Sequence, residues 1–398
     1  MANIAVIGTL DSKGHEHQFL ADQIRALGHT PLLVDVGTLA EPQVAPDISR
    51  DQVLEAAGME LPSAEDRGER VGVMAEALPA FLNQLADRGE IDAVIALGGG
   101  GGTAIATAGM RALPIGFPKL MVSTLASGNT AHYVGTKDIV MFPSIVDVAG
   151  LNQVSKTIFS RAAGAICGMA AAQAADDGGK TIIVASMFGN TTECVDQARN
   201  RLEAEGYEVL VFHSTGMGGK TMESLIESGM VKAVLDITTT EWADELVGGT
   251  LSAGPTRLDA TASAGIPAIV TPGCLDMANF GERDTVPAKY EGRNFYIHNP
   301  QVTLMRTTPE ECAELGRILA EKVNAYTAPV TVLLPTKAIS IISAEGQPFH
   351  DAEADAALFS AIRENLSDSV ELLEIDAEIN DPAFADACAS ALLRNLGA

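Results

Sequence analysis

Short apolar runs alternate with longer amphipathic stretches along the chain. NIAVIG (3–8), TPLLVDVG (30–37), IDAVIALG (91–98) and KLMVST (119–124), with a short IVMF (139–142), carry apolar residues at successive positions and not at alternate ones. Such runs belong to strands covered on both faces, as in a parallel sheet. Between them the pattern turns helical: one helix is expected after Gly14, ending near Gly28, and a longer one over 65–88 with a kink at Pro79. Right-handed crossovers then wind helices over both faces, giving a doubly wound α/β domain.

An Ala-rich helix is expected over 152–175, and the polar stretch ADDGGK (175–180) interrupts the rhythm. The rhythm restarts with TIIVASMFG, YEVLVFH, KAVLDIT, GIPAIVTPG, PVTVLLP and VELLEID, each followed by a helical or polar segment. This predicts two α/β domains, 1–177 and 178–398, each a mostly parallel sheet covered by helices. A length of 398 residues also exceeds what one hydrophobic core usually spans.

Composition narrows the partners. Hydrophobic residues make up 47% and charged residues 20%, a globular balance. The formal charge is 26 − 52 = −26, so the overall field repels nucleic acid and anionic membranes. One Trp and five Tyr offer no aromatic platform for bases. The N-terminus MANIAVIG lacks a basic signal-peptide region, and no apolar stretch approaches the roughly 20 residues of a membrane span. Five scattered cysteines without a CxxC pair suit free thiols in a reducing compartment. The expectation is a cytoplasmic protein that binds a small molecule, with small-residue helices available to pack a homo-oligomer.

Residues 93–113 read AVIALGGGGGTAIATAGMRAL: a strand, five glycines from Gly98 to Gly102, then Thr103 and a helix. Backbone amides at a helix N-terminus attract an anion, and glycines let that backbone approach it closely. The run therefore reads as a phosphate cradle, with Thr103 supplying a hydroxyl or a cap; the alternative is a flexible, closely packed turn. Gly99, Gly101 and Ala104 match G-x-G-x-x-A, but the motif follows a later strand and no acid ends the next one, so a nicotinamide site is not expected. Two further loops follow strands. GTLDSKG (8–14) offers Thr9, Asp11 and Lys13, a hydroxyl and a cation for phosphate and a carboxylate for Mg²⁺. STLASGNTAHYVGTKD (123–138) offers Ser123, Ser127, Gly128 and Asn129. Both also suit ordinary turns and caps.

In the second half, HSTGMGGKTMES (213–224) nearly forms a Walker A motif, but the first required glycine is Ser214. A Gly-rich strand-to-helix turn that binds an anion through Lys220 remains the expectation, with Asp236 at the next strand end. Glu241, then Cys274, Asp276 and Asn279, then His298, Asn299 and Arg306 form polar clusters at further strand ends. A thiol beside a histidine and an asparagine would make a nucleophile with an oriented base; an isolated buried cysteine would be inert packing. His15 and His17, two residues apart, are expected on the surface.

The segments GTLDSKG, IDAVIALGGGGGT and STLASGNTAHYVGTKDI, followed in order by HSTGMGGKTMESL, TPGCLDMANFG and HNPQVTLMRTTPEE, resemble a family of uncharacterised bacterial proteins. That family is similar to the ATP-binding N-terminal domain typified by the tomato mosaic virus resistance protein. The resemblance spans essentially the whole chain. It implies two Rossmann-like domains and ATP bound in the first half, at Thr9, Asp11, Lys13, Gly98 to Thr103 and Ser123 to Asn129. Three functions are compatible with it. One is an ATP-dependent enzyme, with Mg²⁺, acting on a small metabolite through Lys220, Glu241, His298 or Arg306. Another is a nucleotide-responsive binding module without turnover. The last is a hydrolase or lyase of a phosphorylated or carboxylic acid, with Cys274 or His298 as its chemistry.

Overall fold

A computed structural model describes residues 1–63, 66–172 and 179–397. The chain divides into two compact units, Met1–Ala175 and Asp176–Ala398. The boundary expected between residues 177 and 178 lies outside the described residues.

In the N-terminal unit, β1 (Asn3–Gly8), β2 (Thr30–Asp35), β3 (Ala93–Gly98), β4 (Lys119–Ser123) and β5 (Val140–Pro143) form one sheet. Its order is β2-β1-β3-β4-β5 and every pairing is parallel. Alternate residues of each central strand feed opposite cores, as a period of two requires. Ala5, Ile7, Val94 and Ala96 pack against Leu78 and Leu82 of helix Arg67–Asp87 and Ile105 and Met110 of helix Gly100–Ala112. Ile4, Val6, Ile95 and Leu97 pack against Leu20 and Ile24 of helix Leu10–Ala26 and Phe159 and Ile166 of helix Gln153–Ala171. Burial on both faces is the reason these strands read as unbroken apolar runs.

Two expectations change in detail. The first helix begins at Leu10, not after Gly14, with non-helical backbone at Lys13 (φ −135°, ψ 29°). Helix Arg67–Asp87 runs through Pro79 without a break.

The C-terminal unit contains β6 (Ile182–Met187), β7 (Glu208–His213), β8 (Val231–Thr238), β9 (Ala268–Gly273), β10 (Met277–Phe280), β11 (Phe295–Asn299), β12 (Val302–Arg306), β13 (Val330–Pro335) and β14 (Glu371–Ile375). Six of these form a parallel sheet in the order β14-β13-β9-β8-β6-β7. Val184, Val234, Val270 and Val332 face one core; Ile183, Leu235, Ile269 and Leu333 face the other, over Phe384 and Leu392 of helix Pro382–Leu396. The remaining strands form a small antiparallel sheet, β10-β12-β11, which the sequence pattern did not predict. Its strands are four or five residues long, too short to show a period. Among the described residues no helix is long and apolar enough to cross a membrane.

Candidate functional site

In the N-terminal unit the sheet order reverses direction between β1 and β3, and at such a switch point the loops beyond the strands part to leave a crevice. Thr9, Asp11, Ser12 and Lys13 from the first loop face Gly99 to Gly102 from the second across a cleft of about 240 Å³, with Arg67 and Thr38 on its wall. The two loops expected to share a ligand thus come together. The third does not join them. Ser123 and Ser127 line a neighbouring cavity beyond β4 and β5, Gly128 is exposed on that loop, and Asn129 accepts from the Ala131 amide at 3.1 Å.

The glycines divide by role. A methyl group on Gly98 would stand 3.0 Å from the Gly102 Cα and 3.1 Å from the Thr103 nitrogen, so packing of strand against helix demands glycine there. On Gly99 and Gly102 it would make only ordinary contacts, at 3.7 and 3.5 Å; on Gly101 it would lie 3.8 Å from Val71; on Gly100 it would meet nothing within 4 Å. None of the five has a positive φ. Nothing inside the fold therefore requires Gly99 to Gly102 to lack a side chain, although glycine weakens a helix by about 1 kcal/mol relative to alanine. Gly100, Gly101 and Gly102 open helix Gly100–Ala112, and their amides have no acceptor among the described residues.

Thr103 corrects the expectation of a ligand hydroxyl or a cap. It lies inside the helix, fully buried, and its Oγ1 is 2.7 Å from Ser123 Oγ. Ser123 Oγ also accepts from the Leu125 amide, so both hydroxyls tie β4 to the helix. Gly99 is the N-cap and contributes no side chain.

Around the cleft, Asp11 Oδ2 accepts from the amides of Thr38, Leu39 and Ala40 at 3.1, 2.9 and 3.4 Å. The carboxylate expected to hold Mg²⁺ thus braces the segment after β2 and keeps only Oδ1 for a metal. Among the described residues no group of three or more His, Cys, Asp or Glu is placed to hold a metal ion. The donor set fits Mg²⁺ only as an ion carried in by phosphates, the usual arrangement for that ion. Lys13 Nζ donates to the Val148 carbonyl, and Arg67 is exposed with no ion pair among the described residues. Neither Lys13 nor Arg67 forms an ion pair among the described residues, and Asp11 lines the same cleft.

His17 overturns its surface assignment. It is fully buried, with Nδ1 2.7 Å from the Lys13 carbonyl, while its ring occupies the space that a side chain on Gly8 would need. Burial lowers its pKa, which keeps the imidazole neutral. The contact falls at Lys13, the residue whose backbone departs from the helix. His15, by contrast, is exposed.

In the C-terminal unit the near-Walker turn already holds an anion, and it is the chain's own. Glu241 Oε1 accepts from the amides of Gly216 and Gly219 at 2.7 and 3.0 Å, at the head of helix Met217–Glu227. A methyl group on Gly219 would stand 2.1 Å from Glu241 Oε2. Arg257, 1% exposed, binds that Oε2 at 2.8 Å, grips both oxygens of Asp236 at 2.7 Å and reaches Glu223 at 3.0 Å. Glu241 thus serves as a structural counter-ion between the turn amides and Arg257. Lys220, expected to draw a phosphate to this turn, is exposed and makes no ion pair among the described residues.

The Cys–His–Asn idea also fails on geometry. Cys274 is fully buried at a positive φ of 61°, and burial raises its thiol pKa far above the usual range. His298 is exposed at the rim of a different cavity, which Cys274 does not line. Arg306 is buried and committed: Nε to the Phe349 carbonyl at 2.8 Å, Nη2 to Asp355 at 2.6 Å and Nη1 to Thr307 Oγ1 at 3.0 Å. Two buried acids nearby have raised pKa values, each chiefly from burial: Asp244 is pushed up to about 7 and Asp276 to about 6.

A pair of doubly wound α/β units, with one glycine turn open and the other filled, is the class of protein that these features define. The chain belongs to the uncharacterised protein family UPF0261: that family's N-terminal domain matches residues 2–175 and its C-terminal domain residues 180–396. It is 47% identical over 395 residues to a UPF0261 protein of Clostridium tetani, covering 98% of both chains. It is 39% identical over 415 residues to the ToMV resistance protein Tm-1(GCR237) of Solanum lycopersicum, covering 97% of this chain and 55% of the tomato protein. Among solved structures, UDP-N-acetylglucosamine 2-epimerase from Rickettsia bellii aligns at 11% identity with a TM-score of 0.23, over 68% of this chain and 78% of that one; so loose a likeness carries no functional argument.

The two turns predict opposite responses to one substitution. Gly100→Ala should stabilise the fold by about 0.4–1 kcal/mol, because the methyl group meets nothing and the unfolded chain loses freedom. Gly219→Ala should destabilise it by about 1–3 kcal/mol or more, because the methyl group displaces Glu241. Urea denaturation followed by circular dichroism measures both.

The raised acids predict a pH dependence. Folded Asp244 and Asp276 still hold protons that the unfolded chain releases near pH 4, so their contribution is fully present below about pH 4 and is lost as the pH rises through about 6 and 7. Trp242, the single Trp, is buried in this unit and reports its unfolding. Its urea midpoint should be higher at about pH 5.5 than at about pH 8; a midpoint that rises over that interval would contradict the assignment.

Proposed function

We propose that the N-terminal unit binds the phosphate end of a nucleotide, ATP in the first instance, at Gly99 to Gly102. The observation that carries this reading is the open space beside those glycines. Their backbone conformation is ordinary and no neighbouring atom excludes a side chain, so the absence of side chains serves something from outside the chain. Free amides at the head of helix Gly100–Ala112 favour an anion there. Lys13 and Arg67 add positive charge to a chain whose net charge is −26. Thr9 and Ser12 offer hydroxyls, and Asp11 Oδ1 can ligate Mg²⁺ that arrives with the phosphates.

The cleft of about 240 Å³ suits phosphate groups and not a whole nucleotide. Leu39 also lines a larger cavity of about 1020 Å³, beside Arg50 and Arg70, where the nucleoside would lie. Bound phosphates would supply the chemistry of phosphoryl transfer, and the chain would act as an ATP-dependent enzyme on a small metabolite. A second reading, a nucleotide-responsive module without turnover, gains support from the internal commitment of Glu241, Cys274 and Arg306.

ATP with Mg²⁺ should raise the melting temperature with a dependence on ligand concentration that follows RT ln(1 + [L]/Kd). Gly100→Val should abolish that shift while the unliganded protein stays folded, since its side chain fills the phosphate position. Equal ATP affinity in wild type and Gly100→Val would remove the cradle. Phosphate release measured alongside separates the enzyme from the module.

A further inference from the structure

Residues 37–40 follow β2, and Leu39 among them lines both the phosphate cleft and the larger cavity beside it. Side chains from elsewhere in the chain hold this short stretch. Asp11 Oδ2 accepts from the amides of Thr38, Leu39 and Ala40. Arg50 Nη1 donates to the Gly37 carbonyl at 3.2 Å, and its Nη2 donates to the Ala40 carbonyl. Arg70 Nε donates to the Thr38 carbonyl, and its Nη1 donates to the Pro62 carbonyl at 3.0 Å. Gly37 runs so close to two acids that a methyl group on it would lie 2.9 Å from Asp11 Cγ and from Asp35 Oδ1.

Amides and carbonyls of the same four residues are thus fixed from both sides by Asp11, Arg50 and Arg70. A segment clamped in this way is set in place without being buried. Leu39, within it, is 56% exposed. A single exposed leucine is ordinary on a protein surface, but this one stands on a braced backbone where two cavities meet. Leu54, Met59 and Leu61 continue the apolar wall into the larger cavity. A phosphate gains nothing from such a wall, whereas a sugar or base ring leading away from the phosphates loses apolar surface to it.

We propose that Leu39 is a specificity residue of this site: its side chain packs on the nucleoside, so that a nucleoside polyphosphate is preferred to an inorganic one. This role rests on the phosphate cradle proposed at Gly99 to Gly102.

Isothermal titration calorimetry of the full chain, with Mg²⁺ present, compares ATP with tripolyphosphate. Wild type should bind ATP about tenfold or more tightly, the gain expected from covering roughly half of a leucine side chain. Leu39→Ala should weaken ATP about tenfold and change tripolyphosphate by less than about twofold. Leu39→Met, which keeps the apolar bulk, should retain the wild-type preference. Equal wild-type affinity for the two ligands, unchanged ATP affinity in Leu39→Ala, or equal loss of both ligands in that variant would overturn the role of Leu39 and leave the cradle standing. If wild type binds neither ligand, the cradle itself falls, and the role of Leu39 with it.

Discussion

A helix that follows a parallel strand begins with backbone amides that have no partner in their own helix. Each half of this protein meets that constraint with a glycine-rich turn, and the two halves solve it differently. In the C-terminal unit Glu241 reaches from the next strand end and places its carboxylate on the amides of Gly216 and Gly219. In the N-terminal unit no side chain among the described residues does so at Gly100 to Gly102. One turn is closed by the chain, and at the other no side chain reaches the amides among the described residues.

Closing the first turn has consequences through the C-terminal unit. A carboxylate so deeply buried needs a counter-charge, and Arg257 provides it. Arg257 in turn carries five donors, and Asp236 and Glu223 accept from those that Glu241 leaves. Ser186 then donates to Asp236 Oδ1 at 2.6 Å, linking the network to β6. Removing Arg257 would leave the buried carboxylates of Asp236 and Glu241 without a counter-charge, at a cost of about 3–5 kcal/mol. These acids therefore hold the sheet ends together.

Much of the fold was legible because strands buried on both faces leave an unmistakable apolar signature. The runs at 3–8, 91–98, 181–189, 232–238 and 329–335 all became strands of parallel sheets. The small antiparallel sheet was not legible, because β10 to β12 are short and their polar residues looked like loop chemistry. The convergence of Thr9, Asp11 and Lys13 on the glycines was legible from their place after strands. The roles of Thr103, Glu241, Cys274 and Arg306 were not, because partners such as Ser123 and Asp355 lie 20 and 49 residues away. His17 carried a hint in its i, i+4 spacing from Lys13, but only burial shows that it bonds to that carbonyl.

By itself the sequence determined which segments form the two parallel sheets, and that a naked backbone opens the helix after β3. Those properties depend on local pattern: hydrophobic period, turn residues and the missing side chains. Tertiary structure alone decided which glycine turn stays open, because the answer lies in whether a carboxylate from elsewhere in the chain reaches the amides first. Polar groups that look alike in one dimension differ once burial forces each to find a partner, and partners are a property of space.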